Sequence, residues 1–557
     1  MKDVSSVLVV VLATVRYSFT FYMTYTRKEK QLLSSYFTNT NDDIFALVNL
    51  PEVIKGTLFS RYSRSAKDLR RLFLDEFVKH KDLRRILAGT KRNKNYLELS
   101  KAEDFYERVL IGFGDDSVAE LGSAHIAIEN ISVLATKSIE KHRIGLSPLE
   151  KSTRYVYFDQ KVNGEYLYYK DKNILNSRFK NDFISANDLL FDTYSKIVHD
   201  IQPSLEHIFP GDGTESAYRA SIRAKACDLA RGLLPLSTKT NMGILGNGRS
   251  LEYLLTCMLN DDLSEVKYIA NKMLKNLRVL IPTFVKRAKN KYGKATRGYI
   301  SKRCGSLNSL RKYNIKMIKP VKNYSVKLID FDRQTENKIL SALLYNQSNL
   351  EYSKCKILVK KMSSKEKESV FKKALKHRDC RQHKPCREFE EAYVSFEVTA
   401  DFGVYKDLMR HRMLTQYRKL FTTELGYLIP EEIKIAKLDD VYKKALENAN
   451  NVYIKLKKRF PTEAQYIVPH AAYNRFYMKM NIREAFHLTE LRSIPQGHPS
   501  YRKVAQDMAK LIKNKFPLLG KYLFAFVDYN QYDLERLEAF RKLEKRGKEK
   551  KVDVFRE

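Results

Sequence analysis

Residues 141–155 read Lys141-His142-Arg143-Ile144-Gly145-Leu146-Ser147-Pro148-Leu149-Glu150-Lys151-Ser152-Thr153-Arg154-Tyr155, a His-Arg cluster followed by a Ser-x-Arg-Tyr turn. A second cluster, Arg410-His411-Arg412, stands far downstream in the same chain. Ser132 and Asp401 each precede the histidine of their cluster by ten residues. Both residue types are strong helix N-caps, so each is expected to open a helix of about three turns with cations at its C-terminal end, where they complement the helix dipole. Before Ser132, the apolar residues Ala124, Ile126 and Ile128 alternate as in a strand, and Phe396 and Val398 do so less cleanly before Asp401.

The parallel continues. Ala230-Arg231 through Pro235 is followed by Asn247-Gly248-Arg249, and Ala464-Gln465 through Pro469 by Asn481-Ile482-Arg483, with the same Pro-to-Asn spacing of twelve. A basic residue closes each run, Lys267 in the first and Arg502 in the second. Landmarks in one order at matched spacing indicate an internal duplication, too long in period for a solenoid. The expected organisation is an N-terminal extension (1–55), copy 1 (56–281), a basic, irregular connector (282–376), copy 2 (377–540) and a charged tail (541–557). Helices are expected in the connector over Thr335–Tyr345 and Lys365–Lys376.

At 557 residues, with 43% hydrophobic and 30% charged residues, the chain is long enough for several packed cores. A formal charge of +37 favours anionic ligands without choosing among nucleotides, nucleic acids and acidic surfaces. Six cysteines are too few for a disulfide framework, which points to a reducing, cytoplasmic setting. The apolar run from Val7 to Val15 is too short to span a membrane. Gly243 to Ser250 mimics a phosphate loop but has Arg249 where the cradle needs lysine, and the even spacing of His377, Cys380, His383 and Cys386 does not match common zinc knuckles, so no metal is assigned.

The ordered motifs resemble those of flavin-dependent thymidylate synthases, the ThyX family. That resemblance rests on Gly114-Asp115-Asp116-Ser117-x-x-Glu120, His142-Arg143, Glu150, Ser152-x-Arg154-Tyr155, Ala230-Arg231 through Pro235 and Asn247-x-Arg249 in copy 1, and on Arg410-His411-Arg412, Pro469 and Asn481-x-Arg483 in copy 2. It implies an α+β fold, two tandem copies with small antiparallel sheets flanked by helices. It also implies reductive methylation of dUMP to dTMP using FAD, NAD(P)H and methylenetetrahydrofolate, with no cysteine nucleophile. The fused chain would form a homodimer, a pseudo-tetramer, with no membrane association.

By the same resemblance, dUMP would be held by Glu150, Ser152, Arg154, Arg231, Arg410 and Arg502, of which Arg154, Arg410 and Arg502 carry the catalysis. FAD would be held by Ser117, Lys141, His142, Arg143, Asn247, Arg249, Arg410, His411, Arg412, Asn481 and Arg483. Each copy departs from the pattern. Copy 1 has Lys141, Asp115 and Lys267 at places the family gives to Arg, His and Arg, with one extra residue before its Ser-x-Arg-Tyr. Copy 2 lacks that turn, reading Thr422-Thr423-Glu424-Leu425-Gly426-Tyr427, and has Gln465 in place of Arg231. The losses are complementary, so one composite site is expected, with its halves on different copies. The competing reading is a non-catalytic flavin-, nucleotide- or RNA-binding protein on a decayed scaffold, suggested by charge and interleaved tyrosines but by no RNA-binding motif.

Overall fold

The computed structural model describes residues 25–63, 65–79, 118–307, 309–310 and 320–550. Two compact units emerge: Met1–Ala124 with Gly246–Leu255 and Lys272–Ala295, and His125–Leu245 with Thr256–Asn271 and Thr296–Glu557. In the first unit, helices α1 (Arg27–Leu33) and α2 (Glu52–Tyr62) accompany a buried aromatic group, with Tyr36 and Phe37 packed on Phe73.

The second unit contains most of copy 1 and all of copy 2, while Gly246–Leu255 and the end of copy 1 from Lys272 belong to the first. Copy 1 runs β1 (Ser123–Ser132), α3 (Val133–Glu140), β2 (Leu146–Glu150), α4 (Lys180–Ile208), α5 (Ser216–Ala230), β3 (Lys239–Asn247), α6 (Gly248–Met258) and α7 (Ser264–Leu280). Copy 2 is preceded by β4 (Ser325–Phe331), α8 (Thr335–Asn346), α9 (Tyr352–Lys361) and α10 (Ser364–Leu375). It continues with β5 (Tyr393–Asp401), α11 (Phe402–Leu408), β6 (Leu414–Arg418), α12 (Asp439–Lys457), β7 (Tyr473–Asn481), α13 (Ile482–Arg492), α14 (Pro499–Lys515) and α15 (Leu537–Lys550).

The strand orders carry the duplication into three dimensions. One sheet runs β1-β3-β2 and the other β4-β5-β7-β6, so the strand that leads into Asn-x-Arg is central to the same trio in each copy. The copy 2 sheet is antiparallel, with Phe396 opposite Met478 and Val398 opposite Phe476. Val394, Phe396, Val398 and Ala400 form the apolar face and are fully buried, and Ser395 and Thr399 between them are buried too, so the strand is largely covered on both faces. The edge strand β4 and helices α8 to α10 lie in the stretch that the sequence reads as an irregular connector; β4 instead pairs with β5. Helices α8 and α10 match the two expected there, while α9, a helix over Lys291–Leu307 and a short one over Pro282–Val285 add to them.

Local chemistry sets the ends of α3 and α11. Ser132 accepts a hydrogen bond from the Ala135 amide and Asp401 from the Val404 amide, as N-caps. Both helices are about two turns long, shorter than a full three-turn element. Past α3 the chain turns through Gly145, whose φ of +71° is the left-handed conformation that favours glycine.

The two copies meet around a pseudo-twofold at their matched prolines. Pro235 pairs with Pro469 in an antiparallel bridge, flanked by Leu236 N to Val468 O at 2.9 Å and His470 N to Leu234 O at 2.9 Å. Such a self-complementary contact is the isologous geometry of a homodimer, made here within one chain. No described helix is long and apolar enough to cross a membrane.

Candidate functional site

A buried ionic cluster joins the copies. Lys137 on α3 is fully buried and pairs with Glu140 and, at 3.1 Å, with Glu150 at the end of β2. From copy 2, Lys406 reaches Glu150 at 3.2 Å and Arg410 reaches both Glu140 and Glu150 at 3.5 Å. Burial opposes charge on Glu150, but Lys137, Lys406 and Arg410 outweigh it and lower its pKa to about 2. Burial lowers the Lys406 pKa despite Glu150, because Lys137 and Arg410 crowd it with like charge.

Beside this cluster the arginines of the two halves approach one another. Burial would raise the pKa of Asp407 on α11, yet Arg492, Arg410, Arg231 and Arg154 together lower it. Arg492 lies 3.9 Å from Asp407, and the guanidinium carbons of Arg492 and Arg154 lie 5.7 Å and 6.0 Å from the Tyr501 ring centroid. Arg154 presents a fork to Asp228, with both contacts at 2.9 Å, and donates to Gln496 O at 3.3 Å. The Ser152 hydroxyl accepts from the Arg154 amide at 3.2 Å, shaping that turn. Arg231 is buried with Nη2 unpartnered, against Gly403, where an added Cβ would stand 2.5 Å from that nitrogen. Burial pushes the neighbouring Cys227 thiol up to about 12, which disqualifies it as a thiolate nucleophile.

Arg502, the closing arginine of the sequence reading, is placed differently. It donates to Ser493 O and Asn530 O, both at 2.9 Å, and stacks over Tyr532. Arg492, which the sequence analysis does not name, stands beside Asp407. The sequence carried a usable signal for it, a cation ending the helix that Asn481 opens.

A cavity of about 430 Å³ adjoins the cluster, lined by Arg410, His411, Arg412, Asn481, Arg483 and Arg492 among others. Arg381 and Lys384 add cations from the loop before β5. The tautomer of His411 follows from its partners: Arg492 Nε donates to Nε2 at 3.0 Å, so Nδ1 carries the proton and donates to Glu484 at 2.7 Å. Burial lowers the His411 pKa, opposed by the Glu484 bond and reinforced by Arg492.

The remaining cofactor candidates divide between ligand-facing and structural positions. Arg143 donates to His411 O and Leu414 O, both at 2.5 Å, and Arg412 returns the contact to Arg143 O at 3.3 Å and Leu146 O at 3.0 Å. The two arginines thus cross-clamp the copies, and Arg412 also lines the cavity. Asn247 and Asn481 cap α6 and α13 through the Ser250 and Glu484 amides. Arg249 pairs with Glu120 and Arg483 with Glu390, each at 3.0 Å, a second matched pair of contacts. Lys141 is half exposed, 3.6 Å from Asp261, and burial with Lys141 nearby lowers His142 to about 4. Ser117 lies outside the described residues. Glu265 on α7 is buried and accepts hydrogen bonds from Ser132 at 2.6 Å and Tyr466 at 2.9 Å.

Fold and site together define a duplicated α+β protein whose two copies assemble one cation-rich centre from both halves. The chain belongs to the thymidylate synthase complementing protein family, which it matches in two separate regions, residues 66–283 and 327–518, as a tandem duplication requires. A UPF0159 protein of Chlamydia muridarum is 42% identical over 525 residues, covering 92% of this chain and 97% of the relative. The UPF0159 protein Ta1429 of Thermoplasma acidophilum is 33% identical over 513 residues, covering 87% and 97%. A solved structure of a UMP/dUMP methylase, PolB from Streptomyces cacaoi, is 16% identical with a TM-score of 0.30, covering 38% of this chain and 98% of that one.

Proposed function

We propose that this chain is a flavin-dependent thymidylate synthase that methylates dUMP reductively at one composite site, with methylenetetrahydrofolate as carbon donor and NAD(P)H as reductant. The carrying observation is that arginines of both copies converge: Arg492 of copy 2 stands 3.9 Å from the half-buried Asp407, Arg154 of copy 1 and Arg492 flank the Tyr501 ring at 6.0 and 5.7 Å, and the charges of Arg410, Arg231 and Arg154 help hold the Asp407 pKa down. Guanidinium forks bind phosphate bidentately and keep their charge, which suits a nucleotide monophosphate. Glu150, fixed as a carboxylate by three cations and enclosed by them, acts through Arg410, which it orients. These groups hold the uracil ring and stabilise negative charge developing on it, so catalysis is orientation and electrostatics.

FAD fits the adjoining cavity on the chemistry of its walls: Arg410, His411 and Arg483 line it, Arg410 Nε is buried without a partner, and a diphosphate supplies the matching acceptors. Bound there, FAD supplies the hydride chemistry. Arg412, engaged in the clamp, touches the same cavity with its remaining surface. The reciprocal site, with Gln465, Thr422 and Lys141 in place of arginines, lacks the phosphate set, so one site per chain operates. We assign the working form to a homodimer in the cytoplasm.

The test is spectroscopic and catalytic. Purified protein should carry a flavin spectrum with one FAD per chain and form dTMP only when dUMP, methylenetetrahydrofolate and NAD(P)H are all present. Colourless protein that forms no dTMP and binds RNA with steep salt dependence would establish the binding-protein reading instead.

A further inference from the structure

Residues 528–541 follow the last stretch matched by the family, which ends at residue 518. They run as a strap from copy 2 to copy 1. On copy 2, the Asp528 and Asn530 carbonyls accept from Gln506 at 2.8 Å and Arg502 at 2.9 Å, and the Asp528 amide donates to Ser493 Oγ at 3.0 Å. On copy 1, three residues grip α5 and its N-terminal approach. Buried Glu535 accepts from Lys225 at 2.9 Å, Arg536 donates to Asp228 Oδ2 at 2.5 Å, and Arg541 forks onto Glu215 at 2.7 and 2.9 Å. Arg536 is 3% exposed and stands 4.9 Å from the Tyr155 ring centroid.

Asp228 is the shared partner. Its two oxygens take the Arg154 fork, and Oδ2 takes Arg536 as well. Arg154 with Asp228 alone is a neutral pair, leaving little charge for an anion. Arg536 restores one net positive charge to the trio, and its place over Tyr155 holds the next residue of the turn.

We propose that this C-terminal strap, through Arg536 and Asp228, positions Arg154 and Tyr155 and supplies the net charge that lets the copy 1 turn bind a phosphorylated substrate. The inference rests on reading that turn as the nucleotide loop. Arg536 is therefore a positioning residue, acting through Asp228.

The test compares wild type with Arg536→Gln, Arg536→Lys and Glu535→Gln. It reads dUMP and deoxyuridine binding, the KM–kcat split, flavin content, and hydrogen exchange over residues 151–157. Arg536→Gln should raise Kd and KM for dUMP about tenfold. It should leave deoxyuridine binding, kcat and flavin content within about twofold and speed exchange over 151–157. Arg536→Lys, which keeps charge but loses the fork, should fall between. Glu535→Gln, which loosens the strap while Glu432 still pairs with Lys225 at 3.0 Å, should move in the same direction by less. A lowered melting temperature with unchanged dUMP KM and unchanged exchange overturns the strap. If wild type binds no dUMP, the functional reading fails and the exchange measurement alone decides the strap, with faster exchange supporting it and unchanged exchange refuting it.

Discussion

Replacing Glu150 with Gln removes the hub of the ionic cluster. Glu150 pairs with Lys137 at 3.1 Å, Lys406 at 3.2 Å and Arg410 at 3.5 Å, and it has no exposed side-chain surface. Its removal leaves three cations facing Glu140 alone. The pKa offers a magnitude: lowered from 4.5 to about 2, it corresponds to roughly 3 kcal/mol of stabilisation of the ionised form. The general cost of breaking a buried ion pair, about 3–5 kcal/mol, agrees. For a unit of about 400 residues, that is a fall in Tm of roughly 4–6 °C at pH 7. The sign with pH is fixed. A depressed folded-state pKa gives stability that is full above the unfolded value of about 4.5 and is lost as pH falls towards 2. The gap between wild type and Glu150→Gln should therefore shrink by about 1.4 kcal/mol between neutral pH and pH about 3.5. Thermal melts followed by circular dichroism across that range provide the assay. A variant that melts with wild type at pH 7, or a gap that stays constant on acidification, would refute the cluster as drawn.

Arg492→Gln should weaken dUMP binding by about 10- to 100-fold with little change in Tm, whereas Arg502→Gln should lower Tm and affect dUMP much less, because its donors hold backbone carbonyls. Calorimetric titration beside thermal melts separates the two. Protonation of His411 removes the acceptor for Arg492, so dUMP affinity should fall as pH drops below the ordinary histidine range, and His411→Asn should flatten that profile. The stability contribution of neutral His411 follows the same sign, present above about 6.5 and lost as pH falls through its lowered folded-state value. Gly403→Ala puts a methyl 2.5 Å from Arg231 Nη2, the far end of a flexible side chain. It should displace Arg231 and raise the dUMP Kd several-fold, with a melting temperature within a few degrees of wild type.

The sequence by itself determined the duplication and the local geometry that frames the site. Ser132, Asp401, Asn247 and Asn481 cap their helices because a short polar side chain at a helix start satisfies a nearby amide, a rule that acts over three residues. The clusters at His142 and His411 therefore fall at the ends of α3 and α11, and the matched Pro-to-Asn spacing returns as the same strand order in both sheets. Only the tertiary structure decided which cations share one centre. Arg492 rather than Arg502 stands beside Asp407, and Arg143 and Arg412 clamp the copies. Glu265 is buried, and Arg154 meets Arg536 across Asp228 although 308 residues separate Asp228 from Arg536. A guanidinium is equally at home over solvent, on a carbonyl or on a carboxylate. What it binds is fixed by which chain segments pack around it, and spacing along the sequence carries no record of that packing.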